Sequence, residues 1–112
     1  MTKFRKREVF LAQIVFTDGT ATKKRPVVVV SGIHYNDKRE EIIVAAITSN
    51  TIRRIFGDVR IKNWKEAGFL YPSAVTGIIL AIKKTLIEKK LGVLAEDDFE
   101  KVAATLRKTL EL

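Results

Sequence analysis

The stretch Lys24-Arg25-Pro26-Val27-Val28-Val29-Val30-Ser31 decides the fold class. Four consecutive valines read as a short buried strand. Proline has no N–H to give to a ladder, so Pro26 fits only as the first residue of that strand or on an edge. Lys23, Lys24 and Arg25 then end a loop and stand at the strand's mouth.

Upstream, residues 8–16 alternate as a strand should. Val9 and Leu11 face one way, and Phe10, Ala12, Ile14 and Phe16 face the other. Thr17-Asp18-Gly19-Thr20 is a turn signal that opens a polar, basic loop running to Lys24. Downstream, residues 34–41 read as a polar connection. Residues 42–47 are a further β-rich run, ending at Thr48-Ser49-Asn50. Around 58–62, Val59 and Ile61 alternate with charge as in a half-exposed strand, 65–72 read as a loop, and 73–82 carry a fifth strand. Thr85 and Glu88 have capping-box spacing, and Gly92 closes a predicted helix of under two turns. A second helix starts at Glu96. Its first turn holds Glu96, Asp97 and Asp98, its end holds Arg107 and Lys108, and Phe99, Val102, Ala103, Leu106 and Leu110 form one apolar stripe. Ala95 occupies the cap position without a capping side chain. Strands first and a helix last predict a mainly β fold with a C-terminal helix, a small β-barrel or rolled sheet, as one domain over 1–112.

Composition limits the chemistry. The 112 residues carry a formal net charge of +8, with 46% hydrophobic and 30% charged residues. That balance suits a packed core and attracts polyanions such as nucleic acid or an acidic protein. No apolar run approaches the roughly 18 residues of a membrane span, so no membrane partner is expected. The absence of cysteine removes disulfides and thiolate metal sites and points to the cytoplasm. His34 is the only histidine. A paired-histidine acid–base site and a histidine-rich metal centre are therefore both excluded within one chain, and no metal or other cofactor is expected. His34 sits among polar residues and reads as an ordinary surface side chain. Phosphate-binding glycine loops and a Ser-His arrangement are also missing.

Cationic and hydroxyl chemistry remains. Sheet neighbours can bring the end of the Val-rich strand's entry, at Arg25, beside the strand ending in Thr48. An arginine there can hold a phosphate bidentately and stabilise developing negative charge, and a threonine hydroxyl can add a hydrogen bond. RNA carries its own nucleophile, the 2′-hydroxyl, so its cleavage needs orientation and charge stabilisation more than a metal. Arginine is a poor general base; a water, a backbone group or a carboxylate such as Glu8 would have to take the proton. Lys23, Lys24, Ser49, Asn50, Arg53 and Arg54 flank the two central residues and are the expected RNA-binding set. The same motifs also occur as solvated strand entries and turns.

Taken together, Arg7-Glu8-Val9, Phe16-Thr17-Asp18-Gly19, the run from Lys24 to Ser31, Ala46-Ile47-Thr48-Ser49, Pro72-Ser73-Ala74-Val75, Leu91-Gly92-Val93-Leu94 and the helix from Glu96 resemble the MazF/PemK toxin family, in order and over nearly the whole chain. The resemblance implies an SH3-like barrel forming a homodimer. It implies a toxin of a toxin–antitoxin pair, a metal-independent endoribonuclease that cuts single-stranded mRNA to 2′,3′-cyclic phosphate and 5′-hydroxyl ends and is neutralised by an acidic antitoxin. Its central active-site residues carry over to Arg25 and Thr48. Two departures stand out: Arg7 replaces a usual glycine, and apolar Ile78, Ile79 and Ala81 replace residues that are often polar. The alternatives on the same fold are a binding-only toxin like the gyrase poisons and a nucleic-acid-binding protein that has lost catalysis. Phe56, Trp64, Phe69 and Tyr71 are the apolar anchor points expected for the antitoxin, with at least two of the four expected in the core instead.

Overall fold

Val9 and Phe10 point to opposite faces of one strand, and each face is buried under a different set of side chains. The computed structural model describes residues 3–15 and 22–112. Strands β1 (Glu8–Val15), β2 (Thr22–Val29), β3 (Glu41–Thr48), β4 (Val59–Arg60), β5 (Ala74–Lys83) and β6 (Ile87–Val93) form one sheet in the order β4-β5-β3-β2-β1-β6. All its pairings are antiparallel. Phe10, Ala12 and Ile14 join Val27, Val29 and Val44 in a first core. Val9 and Val28 join Ala45, Ile47, Leu94 and Val102 in a second, beneath the C-terminal helix α2 (Glu96–Leu110). The alternation read from residues 8–14 is therefore the observed one. Phe16 and the turn at 17–20 lie outside the described residues.

The sheet is small and barrel-like but not closed, with β4 and β6 at its edges. The chain leaving β4 crosses toward the other edge and buries Ile61 and Ala67 in the second core. It meets β6 backbone to backbone. A Cβ on Gly68 would stand 2.1 Å from the Leu91 carbonyl oxygen, and one on Gly92 would stand 2.2 Å from that of Ala67. Both positions are glycine because two main chains touch there.

Three expectations need correction. Residues 85–92 are not a helix; a single 3-10 turn at Lys84–Leu86 leads into β6, so the sheet has six strands. The capping-box spacing of Thr85 and Glu88 is a local signal. Pairing with β1, whose outer edge would otherwise leave its N–H and C=O groups unmatched, overrides it. Gly92 marks the contact with Ala67, not a helix end. Within the polar connection 34–41 lies a short helix, α1 (Ile33–Lys38). Its buried Asn36 accepts a short hydrogen bond from the Ser31 hydroxyl and donates to the Phe4 carbonyl at 2.8 Å, tying the N-terminal segment to the end of β2. Finally, β2 begins at Thr22, ahead of the proline.

The helix stripe is observed, with Val102 buried, Phe99 and Leu106 packed on the second core, and Leu110 half exposed. Ala95 is the N-cap and makes no side-chain cap. Asp98, 1% exposed, instead accepts the backbone N–H groups of Lys62 and Asn63, each at 2.9 Å, and so fastens the segment after β4 to the helix.

Candidate active site

Pro26 shapes the site. The ladder between β2 and β3 pairs Val29 with Val44, Val28 with Ala45 and Val27 with Ala46, and it stops there. Proline has no N–H to extend it, so Pro26 lies inside β2 but at a point where β3 is no longer laddered. Arg25 and Thr48 stand two residues beyond that last pair on their strands, on the face shared by Val27 and Ala46. The two side chains line one hollow of about 140 Å³, walled by Ile14, Thr76 and Ile78 and joined by Arg53.

A bulge at this point shapes the other wall. Ala45 pairs with Ile79 and Ile47 with Val75, so three residues of β5 (Thr76, Gly77 and Ile78) face Ala46 alone. The buried Thr76 hydroxyl donates to the Ala46 carbonyl at 2.8 Å and accepts the Ile78 N–H at 3.1 Å, replacing ladder bonds that the bulge breaks. Thr48 is oriented as well, because its Oγ1 accepts the Asn50 N–H at 3.1 Å. A hydroxyl has one hydrogen to donate, and that bond leaves it for another acceptor.

Arg25 is exposed and stands on a rim, since it also lines a second hollow of about 250 Å³ with Ser49, Phe69, Leu70 and Tyr71. Asn50, Arg53 and Arg54 line a third, wider hollow of about 570 Å³ with Phe56 and Arg60. Lys23 pairs with Ile14 and so shares the sheet face of Arg25. The other predicted residues stand apart. Lys24 lies on the opposite face and pairs with Glu88 at 3.1 Å. Glu8 begins β1, four residues before Ala12, the partner of Arg25. That is about 13 Å along a strand. Its carboxylate accepts the Arg5 N–H and the Lys90 ammonium, each at 2.7 Å, and lines none of the three hollows.

Arg53 is held by Asp58, a residue that no sequence motif marks. Nε donates to Oδ2 at 2.6 Å and Nη2 to Oδ1 at 2.9 Å. The hydrogen bonds to Asp58, aided by its charge, hold the guanidinium above the ordinary arginine value, against the opposing effect of burial. Of the four aromatic residues, Trp64 and Phe69 pack on the second core, while Phe56 and Tyr71 are 79% and 67% exposed. His34 is exposed. No helix of the described residues is long and apolar enough to cross a membrane.

Solved structures share this architecture. Toxin MazF-mt6 of Mycobacterium tuberculosis superposes with a TM-score of 0.78 at 22% identity, over 95% of this chain and 98% of that one. A mycobacterial endoribonuclease in complex with its cognate antitoxin gives 0.81 at 17% identity, over 99% and 97%. MazE-MazF (Form-II) of Deinococcus radiodurans gives 0.73 at 19% identity, over 100% and 98%. At these identities the likeness establishes the fold. No curated protein matches the chain. The family described as PemK-like, MazF-like toxin of type II toxin-antitoxin system matches residues 5–110, which is nearly the whole chain, and the protein belongs to that family.

Proposed function

We propose that this toxin is an endoribonuclease that cleaves single-stranded mRNA in the cytoplasm without a metal ion. The observation that carries the reading is the convergence of Arg25 and Thr48 in one hollow at the parted ends of β2 and β3. In the proposed step the RNA 2′-oxygen attacks the adjacent phosphorus and its proton passes to water. The P–O5′ bond breaks, and the departing 5′ oxygen takes a proton, giving a 2′,3′-cyclic phosphate and a 5′-hydroxyl. Arg25 offers paired N–H groups to the non-bridging oxygens as charge builds on them. Thr48 donates its hydroxyl hydrogen to the same phosphoryl group. A chain with one histidine and no cysteine has few side chains with which to hold a catalytic transition metal, which supports the metal-free reading.

An acidic antitoxin fits the same surface. The net charge of +8 accelerates encounter with such a chain, and the exposed Phe56 and Tyr71 lie in the hollows beside the arginines, where apolar anchors can seat. The mycobacterial and Deinococcus neighbours bound to antitoxins support this partner, and a homodimer belongs to the same proposal. One observation favours the second reading, a protein that binds nucleic acid without cutting it: Ile78 is 50% exposed and gives the hollow an apolar wall.

The deciding experiment is incubation of the purified protein with a long RNA in excess chelator, followed by mapping of new 5′ ends. Discrete 5′-hydroxyl ends that vanish with Arg25→Ala are expected, the variant losing about a hundredfold or more in rate. Binding without cleavage would favour the second reading, and cleavage only on addition of a divalent ion would overturn the metal-free step.

A further inference from the structure

Arg53 and Asp58 form a built unit at the edge of the Arg25–Thr48 hollow. Their side chains are 27% and 11% exposed and meet through two hydrogen bonds, at 2.6 and 2.9 Å. The loop carrying them is braced at several points. The Asp58 N–H reaches the Ile55 carbonyl at 3.1 Å, and Arg60 donates to the Thr51 carbonyl at 2.8 Å. Gly57, with φ of +101°, lies against Gly77 in the β5 bulge, where an added Cβ would come within 3.3 Å of the Gly77 Cα. The fork to Asp58 occupies two of the five guanidinium N–H groups. The others belong to a side chain that lines the hollow of Arg25 and Thr48 on one side and the wider, arginine-rich hollow on the other.

We propose that Arg53 is a second phosphate-contacting arginine and that Asp58 is its positioning residue, holding the guanidinium over the path of the RNA strand between the two hollows. This rests on the ribonuclease reading above. An arginine already locked by a carboxylate loses little rotamer freedom when it meets a phosphodiester, so its remaining donors are pre-organised for the transition state. Asp58 acts through Arg53 and does not touch the RNA.

The charge of Asp58 gives this proposal a test with opposed signs. Asp58→Asn removes a negative charge from a cationic site, so electrostatics alone predicts tighter RNA binding and no loss of rate. Positioning predicts slower cleavage at saturating RNA. The expected result is a kcat lower by about tenfold with KM unchanged or lower, largely recovered in Asp58→Glu. Arg53→Lys keeps the charge but cannot make the fork, and is expected to lose about as much. In an Arg53→Ala background, Asp58→Asn should slow cleavage by less than about twofold. Thermal melts identify which variants are folded, and the comparison is made among those. A wild-type kcat in folded Asp58→Asn, or a further tenfold loss on top of Arg53→Ala, would overturn the proposal. Titration of a non-cleavable 2′-methoxy RNA separates this from failure of the ribonuclease reading. There Arg53→Ala should flatten the dependence of log affinity on log salt by about 0.7, whether or not the wild type cuts. An unchanged slope would remove Arg53 from the RNA path even in an active enzyme.

Discussion

Gly92→Ala tests how the open side of the sheet is held. The new methyl would sit 2.2 Å from the Ala67 carbonyl oxygen, where ordinary contact begins at 3.4 Å, so the two main chains must part by about 1 Å. Strand β6 is laddered to β1 and resists the shift. The crossing segment 61–69 must yield, and it draws fully buried Ala67 out of the second core. Overpacking of this kind costs about 1–3 kcal/mol. Gly68→Ala creates the mirror clash, 2.1 Å from the Leu91 oxygen, at a φ of +96°. Positive φ adds roughly 1–2 kcal/mol for a residue with a Cβ. Both changes demand the same displacement, so the double variant should cost less than the two singles together, with a coupling of about 1 kcal/mol or more. Trp64, the one tryptophan, packs on the same core and reports unfolding in urea by fluorescence. Measurements at one protein concentration keep any association from entering the comparison. Single variants within about 0.5 kcal/mol of wild type, or strict additivity in the double, would refute this account of the closure.

The other expectations concern the site and its support. Thr48→Ser keeps the donated hydrogen and should retain most cleavage, whereas Thr48→Val should lose roughly tenfold, equivalent to about 1.4 kcal/mol; equal rates in single-turnover assays would take the hydroxyl out of the mechanism. Asp98→Ala strips a buried acceptor from two backbone N–H groups and the Asn63 amide. It should destabilise by about 2–4 kcal/mol, read from the urea midpoint, and a loss under about 1 kcal/mol would mean that water replaces the carboxylate. Lys23→Ala should flatten the salt dependence of RNA binding by about 0.7, while Lys24→Ala, on the other face and paired with Glu88, should change it less; the reverse order would move the RNA to the opposite face.

What could be read in the sequence was what local pattern and residue chemistry control. The alternation from Glu8 to Ile14 and the helical stripe from Phe99 to Leu106 survive because each element's buried faces follow its own period. The segment 87–93 did not yield to the same reading, because what makes it a strand is the empty edge of β1, more than seventy residues away. α1 was hidden for another reason: its one buried side chain is the polar Asn36, which leaves no apolar period to detect. Arg7 shows both sides. It replaces a usual family glycine, and its φ of +79° shows why glycine suits the place. The strain of about 1–2 kcal/mol is offset by bonds that the arginine's own position makes: its N–H to the Val29 carbonyl at 3.0 Å, its carbonyl from the Leu94 N–H at 2.7 Å, and Nε to the Leu94 carbonyl at 2.9 Å.

The site divides along the same line. Arg25 and Thr48 are legible in sequence because one precedes the proline of a valine-rich strand and the other ends the next strand, positions the family resemblance also marks, and the two side chains line one hollow beyond the last β2–β3 pair. Lys23 and Lys24 both flank Arg25 in sequence, yet adjacency in a strand sends side chains to opposite faces, and only Lys23 shares the face of Arg25. Glu8 has the chemistry of a base, a carboxylate near the start of the first strand, but the strand's length carries it to the other end of the sheet and its charge is matched there by Lys90. Asp58 gives no sequence signal because its role depends on a loop in which Gly57 meets Gly77, a contact between β5 and a segment with no periodicity. The features that open the hollow are likewise defects in regular structure. Proline ends one ladder at Val27 and a bulge interrupts the next at Ala46, on neighbouring strands and at the same level of the sheet. Regular pairing through that level would set the β2–β3 backbone bonds where the hollow lies. The two interruptions open the hollow between Arg25, held by β1, and Thr48, held by β5, and it is there that the proposed reaction seats its phosphate.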